Sequence, residues 1–410
     1  MVQTWETSID DGALLLTSAV RANLSMADLY ALDIAPGGNR LATGDATGVV
    51  RLWTPDGPAQ AESIAQHDGA INVVRFAPDG GALASGSLDG QVRLWQPDTA
   101  AADEVARHAG AVNALAFSPD GRWLVSAGAD GSLMLYDQAK QVLTPLTPHA
   151  SAVNSVAFSA DSQWLASGDD DGLVRLWPVS YPRSAIPLRG HRNSVRSLGF
   201  LATAAGPRLL TISYDRTARL WDYLHPEANP VVLRGHDDPL TQLALAGNRF
   251  ATAAYDRTVR LWNADDPFAQ PDQILDAQHP QGELALAPDG AYLVASSLTR
   301  PYAEVWDVGS GRPLYRREGH NGALAALAVS PDSAQFFTGG RDGRVRIWQT
   351  DGDAPGSAGP TLSGHVGPVN SLAVHPGGRL LASSGDDTTV GCGTLPRVNR
   401  VERSPATTRR

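Results

Sequence analysis

An aromatic residue recurs at nearly constant intervals along most of this chain, and this spacing limits the folds that the chain can adopt. Successive members of the series lie between 41 and 44 residues apart. The series consists of Trp53, Trp95, Tyr136, Trp177, Trp221, Trp262, Trp306 and Trp348. A period of about 40 to 45 residues is typical of folds that repeat one small sheet. Because one such sheet cannot bury both of its faces, the repeats must stack against one another.

Segment 149–177 shows what one repeat contains. It has three short runs, at 153–158, 164–167 and 173–177, in which apolar residues alternate with polar or small ones. Such runs between Asp, Gly and Ser residues predict antiparallel strands joined by tight turns. A histidine opens this repeat and most of the others. These histidines are His67, His108, His149, His191, His236, His279, His320 and His365.

Dipeptides at the repeat boundaries make the chain resemble the WD40 repeat family. The dipeptides are Gly190-His191, Gly235-His236, Gly319-His320 and Gly364-His365 at repeat starts, with Trp221-Asp222 and Trp306-Asp307 at repeat ends. The resemblance implies an all-β fold, a β-propeller of four-stranded antiparallel blades. Because eight repeats are complete, we predict an eight-bladed propeller. The resemblance is specific for the fold and says little about function.

A partial repeat precedes the first complete one. Residues 2–5 and 13–17 have the pattern of a third and a fourth strand. The alternative for the second run is a short helix over 13–23. We favour the strand and predict that 1–25 form a remnant of a preceding repeat or a short helix.

A second partial repeat follows the last complete one. Residues 369–374 and 380–384 have the pattern of a first and a second strand. The pattern breaks off at Val390, which suggests the hypothesis that the residues after it are out-of-frame or truncated coding sequence. We predict a propeller over 26–390 and an irregular basic tail over 391–410.

The two partial repeats allow two ways of closing the ring. In the first, eight blades close on themselves, one partial repeat pairs on a rim and the other is disordered. In the second, the two partial repeats combine into a composite ninth blade, which leaves no free strand edge. We favour the ring of eight, because nine-membered rings are uncommon in the family that the chain resembles.

Charge and composition disfavour several classes of partner and location. The chain has 33 Lys and Arg against 43 Asp and Glu, a net charge of −10, which argues against nucleic acid and anionic membranes as partners. Cys392 is the only cysteine, so the chain has no disulfide framework. No apolar run is long enough to span a membrane, and the first residues do not form a signal peptide. We predict a cytoplasmic protein without a cofactor or a metal.

Four residue types recur together in the regular repeats: a histidine, a serine or threonine, an aspartate and a tryptophan. The sets are His67, Ser85, Asp89 and Trp95; His149, Ser167, Asp171 and Trp177; His191, Thr211, Asp215 and Trp221; and His236, Thr252, Asp256 and Trp262. The resemblance implies a buried hydrogen-bond chain in each set, which we call a tetrad. Buried indole and imidazole groups need such partners. Because a catalytic triad would occur once and not in every blade, we interpret the tetrads as structural.

Exposed turn and loop residues are the remaining candidates for binding. In the resembled family, the turn with the tetrad aspartate and the loop after the histidine face the same end of the ring, where partners usually dock. The turns contribute Tyr214, Tyr255 and Arg341, which are residue types enriched in binding hot spots. The neighbouring loops contribute Arg192, Asn193 and Asn321. We predict that these six residues bind a protein or peptide partner.

These observations favour a non-catalytic protein–protein interaction scaffold or sensor. Related bacterial repeat arrays often form the C-terminal sensor of a larger signalling protein, and this chain has the features of such a part. The alternative is a propeller enzyme with its site in the central channel, which requires convergent polar residues that differ between blades. The predicted first strands at 112–117 and 153–158 have small apolar residues, which argues against an enzyme.

Overall fold

The regular secondary structure in the described part of the chain consists of β-strands, as expected for an all-β fold. The computed structural model describes residues 3–10, 13–18, 28–54, 62–97, 101–265, 271–277, 279, 281–297, 299–350, 361–378, 380–387 and 390–395.

The strands in these ranges form eight blades and one closing sheet. The chain begins with β1 (Gln3–Asp10) and β2 (Ala13–Ser18). Blade 1 contains β3 (Leu29–Ile34), β4 (Leu41–Asp45), β5 (Val49–Trp53) and β6 (Glu62–Gln66), and blade 2 contains β7 (Ile71–Phe76), β8 (Leu83–Ser87), β9 (Gln91–Gln96) and β10 (Ala101–Arg107). Blade 3 contains β11 (Val112–Phe117), β12 (Trp123–Gly128), β13 (Leu133–Asp137) and β14 (Val142–Pro145), and blade 4 contains β15 (Val153–Phe158), β16 (Trp164–Asp169), β17 (Val174–Pro178) and β18 (Ile186–Leu188).

The second half of the chain continues the same order. Blade 5 contains β19 (Val195–Thr203), β20 (Gly206–Ser213), β21 (Ala218–Trp221) and β22 (Val231–Leu233), and blade 6 contains β23 (Leu240–Ala246), β24 (Arg249–Ala254), β25 (Thr258–Asn263) and β26 (Gln273–Asp276). Blade 7 contains β27 (Gln281–Leu286), β28 (Tyr292–Ser297), β29 (Tyr302–Asp307) and β30 (Pro313–Glu318), and blade 8 contains β31 (Leu324–Val329), β32 (Gln335–Gly340), β33 (Arg344–Gln349) and β34 (Thr361–Ser363). The last strands are β35 (Val369–Val374), β36 (Leu380–Gly385) and β37 (Val390–Thr394).

Blades 1 to 8 are four-stranded antiparallel sheets in which the strands pair in sequence order. The predicted eight four-stranded antiparallel blades are therefore confirmed. The first strands of successive blades contact one another around the ring and surround a central channel. The apolar cores lie between neighbouring blades: Leu176 of blade 4, for example, belongs to one cluster with Leu198 and Trp221 of blade 5.

Glycines in the second strands allow the blades to approach closely. A Cβ atom at Gly168 would lie 2.5 Å from Cγ1 of Val195, the first residue of the next blade. Gly86 stands in the same relation to Val112 at 2.5 Å. Since real Cβ atoms do not approach carbon this closely, a larger residue at either glycine would force the neighbouring blade to shift.

The closing sheet is five-stranded, in the order β2-β1-β37-β36-β35, and it joins the two ends of the chain. Strand β35 contacts β31 of blade 8 on one side and β3 of blade 1 on the other. The partial repeats therefore lie within the ring, as in the second way of closing it, and not on a rim. Two details differ from that composite blade: β1 pairs with β37 instead of β36, and it does so in parallel.

The closing sheet bears on two predictions for the ends of the chain, the strand at 13–17 and the irregular tail from residue 391. The pattern at 13–17 is a strand, since β2 pairs antiparallel with β1. The prediction of an irregular tail from residue 391 is wrong for its first residues, because β37 extends to Thr394 and Leu395 is buried. The rest of the predicted tail, 396–410, lies outside the described residues.

The closing sheet lacks the tryptophan that ends the third strand of most blades. Gly393 is the register partner of Leu381, as Trp177 is of Leu165 in blade 4. In the parallel pair, Trp5 of β1 is the register partner of Gly393. Glycine thus replaces the recurring aromatic residue at the point where the ends of the chain meet, which explains why the sequence pattern breaks off at Val390.

The parallel register can be tested with the single native cysteine. Thr4 and Cys392 are register partners, and partners on neighbouring strands lie about 5 Å apart, which is within the range for a disulfide. We expect mild oxidation of a Thr4→Cys variant to give an intramolecular disulfide, detected by loss of free thiols and faster migration on a non-reducing gel. The control is Thr7→Cys, since Thr7 is the partner of Leu16 on β2. Cross-linking in the control, or none in Thr4→Cys, would contradict this register.

Candidate protein-interaction face

The loops that follow the opening histidines and the turns between second and third strands meet at one end of the ring. In blade 5, the carboxylate of Asp215 accepts a hydrogen bond from the backbone N–H of Arg192 at 3.1 Å. In blade 8, Asp342 accepts one from Asn321 at 2.8 Å. We call this end of the propeller the histidine face. Because these turns are bonded to their neighbouring loops, the frame of the face is fixed in these blades.

Three blades contain the complete hydrogen-bond chain of a tetrad. In blade 5, Trp221 Nε1 donates to Thr211 Oγ1 at 2.9 Å, and Thr211 Oγ1 lies 2.8 Å from His191 Nε2. His191 Nδ1 lies 2.9 Å from Asp215 Oδ2. Since a carboxylate only accepts, Nδ1 holds the proton and Nε2 accepts from the hydroxyl. The same chain joins Trp262, Thr252, His236 and Asp256 in blade 6, and Trp348, Thr338, His320 and Asp342 in blade 8.

In blade 4 the carboxylate partner is Asp169, and the assignment of Asp171 to this role is wrong. Asp169 is the buried last residue of β16, and its Oδ2 lies 2.7 Å from His149 Nδ1. Asp171 lies two residues later, in the exposed turn. Ser167 Oγ lies 2.6 Å from His149 Nε2, but Trp177 Nε1 has no hydrogen-bond partner among the described residues. The chain in this blade therefore stops at the serine.

Blade 2 contains a looser version of the tetrad. Ser85 Oγ accepts from Trp95 Nε1 at 3.0 Å and lies 2.8 Å from His67 Nε2. His67 Nδ1 is 3.6 Å from Asp89 Oδ2, too far for a hydrogen bond. The Asp89 carboxylate accepts instead from the backbone N–H of Asp68. The four predicted residues are close together here, but the imidazole and the carboxylate are not hydrogen-bonded.

The charges of the blade 5 tetrad are fixed by its hydrogen bonds. Burial alone would raise the pKa of the Asp215 carboxyl, but the hydrogen bonds from His191 and Thr217 outweigh it and hold this pKa well below its ordinary value. Burial lowers the pKa of His191, although Asp215 acts in the opposite direction. A neutral imidazole with both nitrogens engaged has no free site for a proton or a substrate. This arrangement suits a structural role better than acid–base catalysis.

The Gly-His dipeptide has a packing reason. The guanidinium group of Arg219 donates from Nη2 to the carbonyl of Gly190 at 2.8 Å and lies 5.9 Å from the ring of Trp221. A Cβ atom at Gly190 would collide with this guanidinium group. The same bond joins Arg260 to Gly235 and Arg346 to Gly319. Glycine before the histidine therefore makes room for the arginine of the third strand.

The six predicted binding residues all lie on the histidine face, in blades 5, 6 and 8. Tyr255 is 48% exposed, and Arg341 is also exposed. Tyr214 is half-buried, with the guanidinium carbon of Arg196 at 5.1 Å from its ring centre. The loop residues Arg192, Asn193 and Asn321 are exposed.

Two cavities open on this face. A cleft of about 580 Å³ lies between blades 5 and 6 and is lined by Gly190, Arg192, Asn193, Tyr214, Asp215, Arg216, Thr217, Arg219, Arg234, Gly235 and His236. We call it the arginine cleft. A smaller recess of about 230 Å³ lies at the channel mouth and is lined by Arg196, Tyr214, Thr241, Gln242, Tyr255, Gly282, Glu283, Leu324 and Ala325. Tyr214 belongs to both cavities and links them into one surface.

The channel mouth differs between the two halves of the ring. In blades 2 and 3, Asn72 and Asn113 donate to the backbone carbonyls of Val112 and Val153 in the next blade, at 2.8 and 3.1 Å. The second residue of the first strand is Arg196, Thr241, Gly282 and Ala325 in blades 5 to 8. The recess lies where these asparagines are missing. It can therefore receive a side chain from a partner.

The recess gives little support to the alternative of a channel enzyme. Its lining has one carboxyl group, that of Glu283, whose pKa is raised by burial, and one guanidinium group, that of Arg196. A nucleophile next to a base is not among the lining residues. Among the described residues, no group of three or more His, Cys, Asp or Glu is arranged to hold a metal ion.

The repeat units match a known family. The family profile described as "WD domain, G-beta repeat" matches residues 60–96, 104–137, 140–178, 183–222, 229–263, 311–349 and 356–392. The chain belongs to the WD40 family. The matches leave out the first three strands of blades 1 and 7. Both blades have local features of their own. In blade 1 the buried Asp45 pairs with Arg51, and in blade 7 the turn after the second strand contains Pro301.

Among the curated proteins that this chain resembles are nuclear distribution proteins of fungi. Nuclear distribution protein PAC1-1 of Uncinocarpus reesii is 32% identical over 254 residues, which cover 56% of each chain. Nuclear distribution protein nudF of Aspergillus niger is 28% identical over 254 residues, again 56% of each chain. The chain thus spans about half the length of the curated relatives it matches. Because these relatives are fungal, they do not support the bacterial origin that we expected.

A solved structure agrees with the fold. The crystal structure of the computationally designed Ika8 protein superposes with a TM-score of 0.60 over 92% of this chain and 98% of that chain, at 24% identity. This likeness concerns the propeller architecture alone. In the part of the chain that the structure describes, no helix has the length and apolar character needed to cross a membrane.

Proposed function

We propose that this WD40 propeller is a non-catalytic platform whose histidine face binds a protein or peptide partner. The observation that carries the proposal is that the backbone of this face is built in the same way in several blades, whereas its exposed side chains differ. Tetrads and loop bonds fix the backbone in several blades, whereas the residue before the turn aspartate differs. In blades 2, 3, 5, 6 and 8 this residue is Leu88, Ala129, Tyr214, Tyr255 and Arg341. A rigid frame lowers the ordering cost of binding, and varied side chains provide specificity.

The binding surface that we propose is centred on blades 5 and 6. Tyr255 and Tyr214 line the recess, and Arg192 and Asn193 line the arginine cleft beside it. Aromatic and arginine side chains next to a concave surface are the usual anchors of protein interfaces. Arg341 and Asn321 of blade 8 extend this surface across the channel mouth.

Two finer statements belong to the same proposal. One is that the propeller acts as a sensor within a larger signalling protein, on which the relatives, matched over about half of their length, do not bear. The other is the cytoplasmic location expected from the composition. Identification of the partner would test both the sensor role and the cytoplasmic location.

If the partner binds the histidine face, substitutions on this face should weaken binding, and substitutions at the opposite end of the ring should not. We expect combined replacement of Tyr214, Tyr255 and Arg341 by Ala to weaken partner binding at least thirtyfold, as expected for two or more hot-spot residues at about 1 kcal/mol or more each. The partner would be isolated on the immobilised wild-type protein, purified, and titrated against each variant by calorimetry.

The matched control lies at the opposite end of the ring. Tyr181, which is 73% exposed, and Arg183 lie in the loop between the third and fourth strands of blade 4. Replacing both by Ala removes one tyrosine and one arginine from the opposite end and should leave the affinity unchanged. If the control weakens binding and the first variant does not, the partner binds the other end and the proposal is wrong.

A further inference from the structure

The arginine cleft concentrates positive charge on an acidic protein. Its lining contains four guanidinium groups, those of Arg192, Arg216, Arg219 and Arg234, against the single carboxylate of Asp215. The whole chain has a net charge of −10. In the part of the chain that the structure describes, none of these four arginines forms an ion pair. The cleft therefore has charge that the protein does not neutralise itself.

The Asp215 carboxylate is already engaged by other donors. It accepts hydrogen bonds from His191 Nδ1 at 2.9 Å and from the backbone N–H of Arg192 at 3.1 Å. Its other oxygen accepts from the backbone N–H and the hydroxyl of Thr217, at 3.0 and 2.6 Å. With four donors bound, this carboxylate is not available to pair with the arginine side chains.

Arg219 shows the effect of the surrounding like charges. Its Nη2 donates to the carbonyl of Gly190, but its buried Nε has no partner among the described residues. Burial lowers the pKa of Arg219, and the nearby charges of Arg234 and Arg192 lower it further, against the opposing effect of Asp215. An anion in the cleft would relieve this repulsion.

Arg216 occupies a backbone position that glycine holds in blades 1 to 4 and 8. Its φ angle is 70°, and Gly90 and Gly172 have φ angles of 82° and 86° at the same turn position of blades 2 and 4. A side chain in this left-handed region has a steric cost that glycine avoids. Arg216 Nη1 donates to the carbonyl of Asp237 at 3.2 Å, which holds the side chain across the cleft towards blade 6.

From this geometry, and resting on the proposed function, we infer that the arginine cleft binds the carboxylate side chains of an acidic peptide segment of the protein partner. Guanidinium groups bind carboxylates through paired N–H donors, and several arginines from separate loops can bind successive acidic residues. The volume of about 580 Å³ is within the range of ligand pockets and exceeds what a single carboxylate fills. A long polyanion such as nucleic acid is disfavoured, because the net charge of the protein repels it.

The turn position of Arg216 provides a closely matched pair of variants. Arg257 has a φ angle of 68° at the same position of blade 6, but it does not line the cleft. Arg216→Gly and Arg257→Gly both remove one arginine and the same backbone strain, so that they differ only in location. Arg234→Gln is a second cleft variant that leaves the backbone and the Arg216–Asp237 contact unchanged.

The test uses two fluorescein-labelled octapeptides, one of eight Glu residues and one of eight Gln residues, and the full chain. By fluorescence anisotropy at low salt, we expect the Glu peptide to bind at least about tenfold more tightly than the Gln peptide. Arg216→Gly and Arg234→Gln should each weaken binding of the Glu peptide about fivefold to tenfold, and Arg257→Gly should change it less than twofold.

Several outcomes would overturn the inference. Equal binding of the two peptides, or equal loss in Arg216→Gly and Arg257→Gly, would show that the cleft does not recognise acidic segments. Binding of inorganic phosphate that depends on Arg216, without binding of the Glu peptide, would assign the cleft to a small anion instead. If the purified partner binds Arg216→Gly and Arg234→Gln normally but fails to bind the Tyr214, Tyr255 and Arg341 variant, the proposed function stands and this inference fails.

Discussion

Replacing Arg51 by Ala is expected to lower the free energy of unfolding by about 3–5 kcal/mol, because it leaves the buried carboxylate of Asp45 without its counter-ion. Asp45 is 0% exposed, and Arg51 Nη1 donates to its Oδ2. Burial would raise the pKa of Asp45, but hydrogen bonds from Thr47 and Arg51 hold this pKa below its ordinary value. The carboxylate therefore remains charged inside blade 1, where its partner determines the stability.

Chemical denaturation of Arg51→Ala measures this loss, and two further variants show its origin. Arg93 has the same strand position in blade 2 but donates only to the neutral Gln91 at 2.9 Å, so Arg93→Ala should cost about 1 kcal/mol. In the double variant Asp45→Asn with Arg51→Met, both charges are removed and much of the loss should be recovered. An equal loss in Arg51→Ala and Arg93→Ala would mean that the ion pair does not contribute in the way we describe.

Replacing Asp169 by Ala should lower the free energy of unfolding by about 2–3 kcal/mol, since it removes the acceptor of one buried and one half-buried donor. Asp169 accepts from His149 Nδ1 at 2.7 Å and from the backbone N–H of Leu173 at 2.7 Å. Asp171 lies in the exposed turn of the same blade, so Asp171→Ala should change the stability by about 0.5 kcal/mol or less.

Thermal or urea unfolding of the two variants side by side distinguishes the two aspartates. Asp169→Asn is a useful third variant, because the amide oxygen can still accept one of the two hydrogen bonds, and its loss should be intermediate. Should Asp171→Ala prove the more destabilising change, the original assignment from the sequence would be right and the structure of this turn would be wrong.

The tetrads illustrate how far the repeat pattern predicts a site. The pattern predicted the histidines and hydroxyls correctly in position, because they have regular places in the strands. It could not choose between Asp169 and Asp171, because the spacing between histidine and carboxylate varies among the blades. His236 pairs with Asp256, 20 residues on, and His191 with Asp215, 24 residues on. The backbone of the turn, and not the spacing, determines which carboxylate reaches the imidazole.

Other features depend on contacts that local sequence does not specify. The alternation of β1 predicted a strand but not its partner, because the choice of β37 and the parallel direction result from closing the ring. The arginine cleft draws its residues from three separate segments, so no single motif reveals it. One signal was present in the sequence: Arg216 and Arg257 stand where the turns of blades 1 to 4 have Gly48, Gly90, Gly131 and Gly172.

The closing sheet also has a consequence for how the chain folds during synthesis. Blades 1 to 8 are built from neighbouring segments, so each can form its hairpins soon after it leaves the ribosome. The strand β37, which pairs with β1, is made only after all eight blades. Until then β1 has an unpaired edge, which is the kind of surface that invites pairing with other chains. Strand β1, which is made before the eight blades, is thus among the last to reach its final place, and assembly of the ring is completed by a step between distant segments of the sequence.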